Sequence, residues 1–360
     1  MRRTFRFLVF SISVLAGACV ERDVMPPIEP SGLEVAEVRR QRAMAFQAHQ
    51  VEFVRLQSVS DRLRIGAAPI CSDLVPRYGW SVANVFSFKP DVRAIANRQY
   101  GLGDRLKVIR VTPGGPVDRA GVWPGDDIVR VNGNLLAGDG ADQRFESISE
   151  FSSRDGSPVH LDLERDGRTF HVDVVGVMAC NLPAYLTGNE RIYAETDGKR
   201  IYVSEGMLRF ARDDNELALV LAHEMSHEIK RHQAVRRLKR PEGRTAGSAF
   251  DNRMEIGQAY TGTRSPTTVG ALQDPGNNAD IGRDLEFEAD YISLYVMALS
   301  GFDIAHAPDF WRRVATLHPG DIAESYTHPS TAQRFIAMDA AVQEIREKQA
   351  QGMILRPTGD

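Results

Sequence analysis

His223 and His227 stand four residues apart with Glu224 between them, in the run Ala222-His223-Glu224-Met225-Ser226-His227. On a helix, positions i and i+4 share a face with Cβ atoms about 6 Å apart, so both imidazoles can reach one tetrahedral zinc ion. Glu224, one step round the helix from His223, can reach a water on that ion without ligating the metal, which is the position of a general base. A hydrolytic zinc takes three ligands from the protein and leaves the fourth position for water. Asp284-Leu285-Glu286-Phe287-Glu288-Ala289-Asp290 offers the third. On a helix Glu286 and Asp290 lie on one face while Glu288 points elsewhere. The spacing therefore lets Glu286 join His223 and His227 around one Zn2+ per chain, with Asp290 placed to bond the outer nitrogen of a ligand histidine.

Ligands of this kind need rigid elements to carry them. The apolar run from Leu217 to Ala222, directly before His223, predicts a buried helix over 216–232. Helices are also expected over 33–64, 207–210, 283–299, 309–317 and 331–348, and strands over 191–194 and 200–203 around the turn at Asp197-Gly198. His232, five residues after His227, is expected to have rotated off the metal face. His49, His160, His171, His306 and His318 have no spaced partners and read as surface or satisfied polar residues. Residues 240–282 are rich in Gly, Pro, Thr and Asn with little periodicity, the pattern of a flap or a connector.

Residues 80–178 change character, with short β-rich runs at 107–111, 128–131, 159–163 and 169–175 separated by Gly, Pro and Asp turns. Within them, the run from Val111-Thr112-Pro113-Gly114-Gly115-Pro116 through Ala120-Gly121-Val122-Trp123-Pro124-Gly125-Asp126 to Val131-Asn132-Gly133 resembles the PDZ domains of bacterial envelope proteases. The resemblance implies capture of an extended peptide, often a C-terminus, by strand addition. The loop Tyr100-Gly101-Leu102-Gly103 is the expected carboxylate cradle, since Gly permits close backbone approach.

At the N-terminus, Arg2, Arg3 and Arg6 precede an apolar run from Phe7 to Ala18 and then Cys19, the layout of an export signal. A run of twelve residues is too short to span a bilayer core of about 30 Å. Leu15-Ala16-Gly17-Ala18-Cys19 resembles a bacterial lipobox, which implies lipidation at Cys19, and Val20 after it resembles lipoproteins sorted to the outer membrane. The expectation is a periplasmic chain that meets the membrane only through an N-terminal lipid anchor. Cys71 and Cys180 are then an even pair in an oxidising compartment, predicted to form a disulfide that staples the β-rich module at its neck. The 360-residue chain has a formal charge of -4, with 42% apolar and 26% charged residues. That balance builds a folded core and supplies no basic field for nucleic acid.

His223-Glu224-x-x-His227 followed by Glu286-x-x-Ala289-Asp290 resembles the zinc metallopeptidases of the HtpX, BepA and CAAX prenyl protease type. The likeness includes Tyr202-Val203-Ser204-Glu205-Gly206-Met207-Leu208 and Thr327-His328-Pro329-Ser330-Thr331 to Arg334. It implies Glu286 as third ligand, Asp290 as its outer partner, and His328 with Arg334 close to the metal, where they stabilise an oxyanion or cap the open site. The implied fold is α+β: a mostly helical zincin-type peptidase domain with a small β-sheet, plus the inserted PDZ-like domain. Expected boundaries are a signal peptide over 1–18, a tether over 19–32, an N-terminal helix of the peptidase unit over 33–71, the insertion over 72–179, the peptidase domain over 180–350 and a tail over 351–360. The implied activity is hydrolysis of peptide bonds in misfolded or envelope proteins by a Glu-activated, zinc-bound water. The alternative is a PDZ-containing, chaperone-like periplasmic factor with a latent or capped metal site.

Overall fold

A computed structural model describes residues 32–152, 155–234, 278–316 and 332–358. The export signal, the tether up to Ser31, Cys19, the segment 240–277 and His328 lie outside these residues. The chain divides into two compact units, Met1–Met44 and Ala45–Asp360. Of the first, Gly32–Met44 is described: it is helical and solvent-exposed over most of its length, with Leu33 84% and Met44 62% accessible. No described helix is long and apolar enough to cross a membrane.

The second unit is α+β. Its helical part contains the remainder of α1 (Gly32–Gly66), α5 (Glu205–Phe210), α6 (Asp214–Ile229), α7 (Asn278–Leu299), α8 (Ala307–Ala315) and α9 (Ala332–Ala350). One apolar core joins them, with Leu56, Val59 and Leu63 of α1, Leu217–Ala222 of α6, Leu294–Met297 of α7 and Val342 and Ile345 of α9 all nearly inaccessible. Burying a side chain of this size contributes about 1.5–3 kcal/mol, which offsets the entropy of ordering it. The start of α6 is set by Asp213, whose carboxylate accepts from the amides of Asn215 and Glu216. Its end falls earlier than the sequence suggests. Regular helix stops at Ile229, and Arg231 adopts φ +54°, turning the chain back on itself. A three-stranded sheet, in the order β10 (Ala194–Thr196), β11 (Ile201–Ser204), β9 (Ala184–Thr187), packs beside α6.

The β-rich module lies between α1 and β9 in sequence. Its sheet runs β2 (Trp80–Ala83), β3 (Leu106–Val111), β4 (Asp127–Val131), β6 (Val159–Arg165), β7 (Arg168–Val174), with β5 (Asn134–Leu135) paired to β4. Asp166-Gly167 closes β6 on β7, and Asn132-Gly133 closes β4 on β5. All four residues have positive φ, the backbone of a type I′ hairpin turn. The sequence did not signal the helices of the module, α2 (Arg93–Tyr100), α3 (Pro116–Arg119) and α4 (Ala141–Ser152). Phe145 of α4 fills the core over Leu106, Ile128, Leu161 and Leu163, so this layer is recruited by the sheet it covers.

At the neck, β1 (Leu74–Arg77) pairs antiparallel with β8 (Val177–Cys180), and Cys71 is joined to Cys180 by a disulfide. Beside them Asp61 of α1, 3% exposed, receives Arg77 at 2.8 Å and Arg110 of β3 at 3.2 Å, with Arg64 at 3.9 Å. Arg64 also donates to the Cys180 carbonyl oxygen at 2.7 Å.

Candidate metal centre

Two helices of the core, α6 and α7, pack side by side and bring the predicted ligands together. His223 Nε2 lies 3.2 Å from His227 Nε2 and 3.3 Å from Glu286 Oε2, and His227 Nε2 lies 3.5 Å from Glu286 Oε1. The three side chains are 1%, 5% and 0% exposed at residue level. Zinc bonds of about 2.0–2.1 Å in tetrahedral array put neighbouring ligand atoms about 3.3 Å apart, so the spacing suits an ion of that size. The chemistry of the donor set, two imidazoles and a carboxylate, suits zinc as well. Among the described residues this is the one group of three or more His, Cys, Asp or Glu with metal-binding geometry. Glu224, 5% exposed, sits on α6 next to His223.

Each of the two histidines is held from behind, by different means. His223 Nδ1 lies 3.1 Å from Asp290 Oδ1, and Arg334 grips Asp290 with two nitrogens, Nε to Oδ2 at 2.6 Å and Nη2 to Oδ1 at 2.7 Å. Burial raises the Asp290 carboxyl, but Arg334 and His223 together hold it below its ordinary value. Burial likewise pulls His223 down, yet the bonds and charges of Asp290 and Glu286 prevail and push it up to about 10 in the metal-free protein. The Trp311 ring meets the His223 ring edge-on, with centroids 5.3 Å apart. His227 is backed by a second histidine. Its Nδ1 faces His232 Nδ1 at 2.9 Å, and His232 Nε2 faces Glu288 Oε2 at 3.0 Å.

The structure thus gathers His223, His227, Glu286, Asp290, Glu224 and Arg334 in one region. Arg334 bonds Asp290 and lies 3.8 Å from Glu286, so two of its nitrogens are taken up behind the ligands. His232 lies off the metal face, as expected, but not by helical rotation: it is 1% exposed and meets the outer nitrogen of His227, because the helix ends at Ile229 and the chain turns back. No sequence signal marks that reversal, since left-handed backbone favours Gly or Asn and here falls on Arg231. His49, His160 and His171, expected to be surface or satisfied polar residues, lie 3.0, 2.6 and 2.5 Å from Glu205, Asp173 and Asp162. They face these carboxylates at the surface, and among the described residues they belong to no metal-binding group.

The loop Tyr100-Gly101-Leu102-Gly103 also needs correction as a peptide cradle. It leads into β3, an interior strand with neighbours on both sides, so no further strand can be added there. Tyr100 closes α2, the Gly101 amide donates to the Asn97 carbonyl oxygen, Leu102 is buried, and Gly103 O accepts from the Val85 amide. The edge strand on that side of the sheet is β2, preceded by Gly79 at φ +81°.

Comparison with known proteins places these observations. Residues 173–342 match Peptidase family M48, and the zinc-metallopeptidase likeness read from the motifs holds for that part of the chain. The mitochondrial metalloendopeptidase OMA1 of Schizosaccharomyces pombe is 29% identical over 170 residues, 45% of this chain and 45% of that protein. The beta-barrel assembly-enhancing protease of Yersinia pestis is 33% identical over 140 residues, 36% of this chain and 28% of that one. The chain spans less than half the length of these relatives. Among solved structures, the HtrA3 PDZ domain bound to a phage-derived ligand is 19% identical and covers 29% of this chain and 89% of that domain, with a TM-score of 0.23. The HtrA-type protease AlgW with a decapeptide is 21% identical over 29% of this chain and 30% of its own, also with a TM-score of 0.23.

Proposed function

We propose that this chain is a zinc-dependent endopeptidase acting on polypeptides, with His223, His227 and Glu286 as ligands and Glu224 as general base. The observation that carries the reading is the convergence of three buried side chains whose nitrogen and oxygen atoms approach one another at 3.2–3.5 Å, two of them on α6, which also bears Glu224, and one on α7. Bound zinc would polarise the scissile carbonyl and lower the pKa of the attacking water from 15.7 toward about 7. Glu224 takes that water's proton and delivers it to the leaving amine, so no covalent intermediate forms. Asp290, clamped by Arg334, keeps His223 turned with Nε2 toward the pocket. Substrate lies extended along β10, an edge strand among the described residues that packs against α6.

The Cys71–Cys180 disulfide supports an oxidising compartment and hence export. Anchoring at Cys19 in a bacterial periplasm, and envelope or misfolded proteins as substrates, complete the proposal, the latter from the likeness to the beta-barrel assembly-enhancing protease. Any peptide captured by the module adds along β2. The decisive test is Glu224→Gln: zinc is retained while hydrolysis of an unfolded casein-type substrate falls by about 10²–10⁴-fold. Undiminished cleavage by the variant would refute the assignment.

A further inference from the structure

We propose that His232 is a positioning residue of the metal centre: it accepts the Nδ1 proton of His227, is itself held by Glu288, and so fixes the ring and tautomer that His227 presents. The inference rests on His227 being a ligand. Two Nδ1 atoms that face each other at 2.9 Å share one proton between them. His227 Nε2 points at His223 and Glu286, so its lone pair must stay on that side, and a neutral imidazole with a free Nε2 carries its proton on Nδ1. His227 is therefore the donor. His232 Nδ1 accepts, which places the proton of His232 on Nε2, and there Glu288 Oε2 waits at 3.0 Å. Lys230 Nζ lies 3.0 Å from the other oxygen of Glu288. Every bond in this chain runs in one direction, from the metal pocket outward to a carboxylate.

The backbone shows how the contact is made. Lys230 follows the last residue of α6, and Arg231 at φ +54° reverses the chain so that His232 returns to the ring of His227, two residues inside the helix end. The His232 ring packs against His227 with centroids 5.0 Å apart. Outer partners of this type raise ligand basicity and orient the ring, and losing one weakens metal binding by about 10–100-fold. The two ligand histidines differ in this respect. His223 meets its carboxylate directly and in the interior, whereas His227 reaches one through a second imidazole, ending at a Glu288 side chain that is 40% exposed.

The test uses the full chain, loaded with zinc or cobalt alone. Zinc affinity is read by competition with a chromophoric chelator, ligand geometry by the visible spectrum of the cobalt form, and folding by circular dichroism of the metal-free protein. His232→Leu should weaken zinc by about 10–100-fold and alter the cobalt bands. His232→Asn, whose carboxamide oxygen can accept where Nδ1 did, should recover most of that loss, a rescue that a space-filling role would not give. Glu288→Ala, at a half-exposed position, should weaken zinc in the same direction but less. Should His232→Leu fail to fold, Glu288→Ala decides. Wild-type zinc affinity in the folded Leu variant or in Glu288→Ala, or an Asn variant no better than Leu, overturns the relay alone. A wild-type protein that takes up no zinc overturns the ligand reading and the relay with it.

Discussion

The metal centre and the neck of the module are both buried clusters of charge, built on opposite plans. At the neck one carboxylate, Asp61, is met by Arg77, Arg110 and Arg64, all donors fixed by the fold. At the metal centre two carboxylates, Glu286 and Asp290, are answered by imidazoles and by Arg334, and the three ligand atoms converge on a space of ionic size. The neck carboxylate is answered by cations of the protein itself, while on the proposed reading the centre is arranged around a cation that binding supplies. Removing a group should therefore cost stability at the first and metal at the second.

The sharpest test of that contrast is Glu286→Ala, which should abolish zinc retention and hydrolysis together while the metal-free fold survives, as elemental analysis and circular dichroism will report. Retained zinc would break the comparison. Asp61→Ala is the converse. It leaves three guanidiniums without their shared carboxylate and should lower unfolding free energy by about 3–5 kcal/mol, with zinc stoichiometry unchanged. The smallest effect concerns protons. Burial raises Asp61 but its three arginines outweigh this and hold it below 3.8, so its contribution is present above that value and fades as pH falls through the lower folded one. His223 has the other sign: raised from 6.5 to about 10, it stabilises the metal-free protein fully below 6.5 and loses that contribution as pH rises through about 10. Zinc must displace this proton. Zinc affinity should climb with pH over that window, and zinc binding at pH 7 should release close to one proton per chain, seen as a buffer-dependent binding enthalpy.

The contrast also marks what could be read in advance. The His-His-Glu cluster was legible because helical periodicity turns local spacing into a shared face: i and i+4 suffice for His223 with His227 and for Glu286 with Asp290. The hairpins at Asn132-Gly133 and Asp166-Gly167 were legible as turns for an equally local reason, since such residues tolerate positive φ. The neck cluster was not legible, because it joins Asp61, Arg77 and Arg110, and nothing local to any one of them names the others. Tyr100-Gly101-Leu102-Gly103 misled because a Gly-rich loop looks the same whether it feeds an edge strand or an interior one.

By itself, then, the chain determined which side chains can share a helix face, where tight turns fall and which runs must be buried, since each of these follows from geometry within a few residues. Tertiary structure decided that α6 stops at Ile229 and returns His232 to His227, that Arg334 binds Asp290, and which strand forms the module's open edge. Those outcomes depend on contacts between residues far apart in sequence or on a left-handed backbone at a residue with no preference for it, and neither is encoded in local pattern.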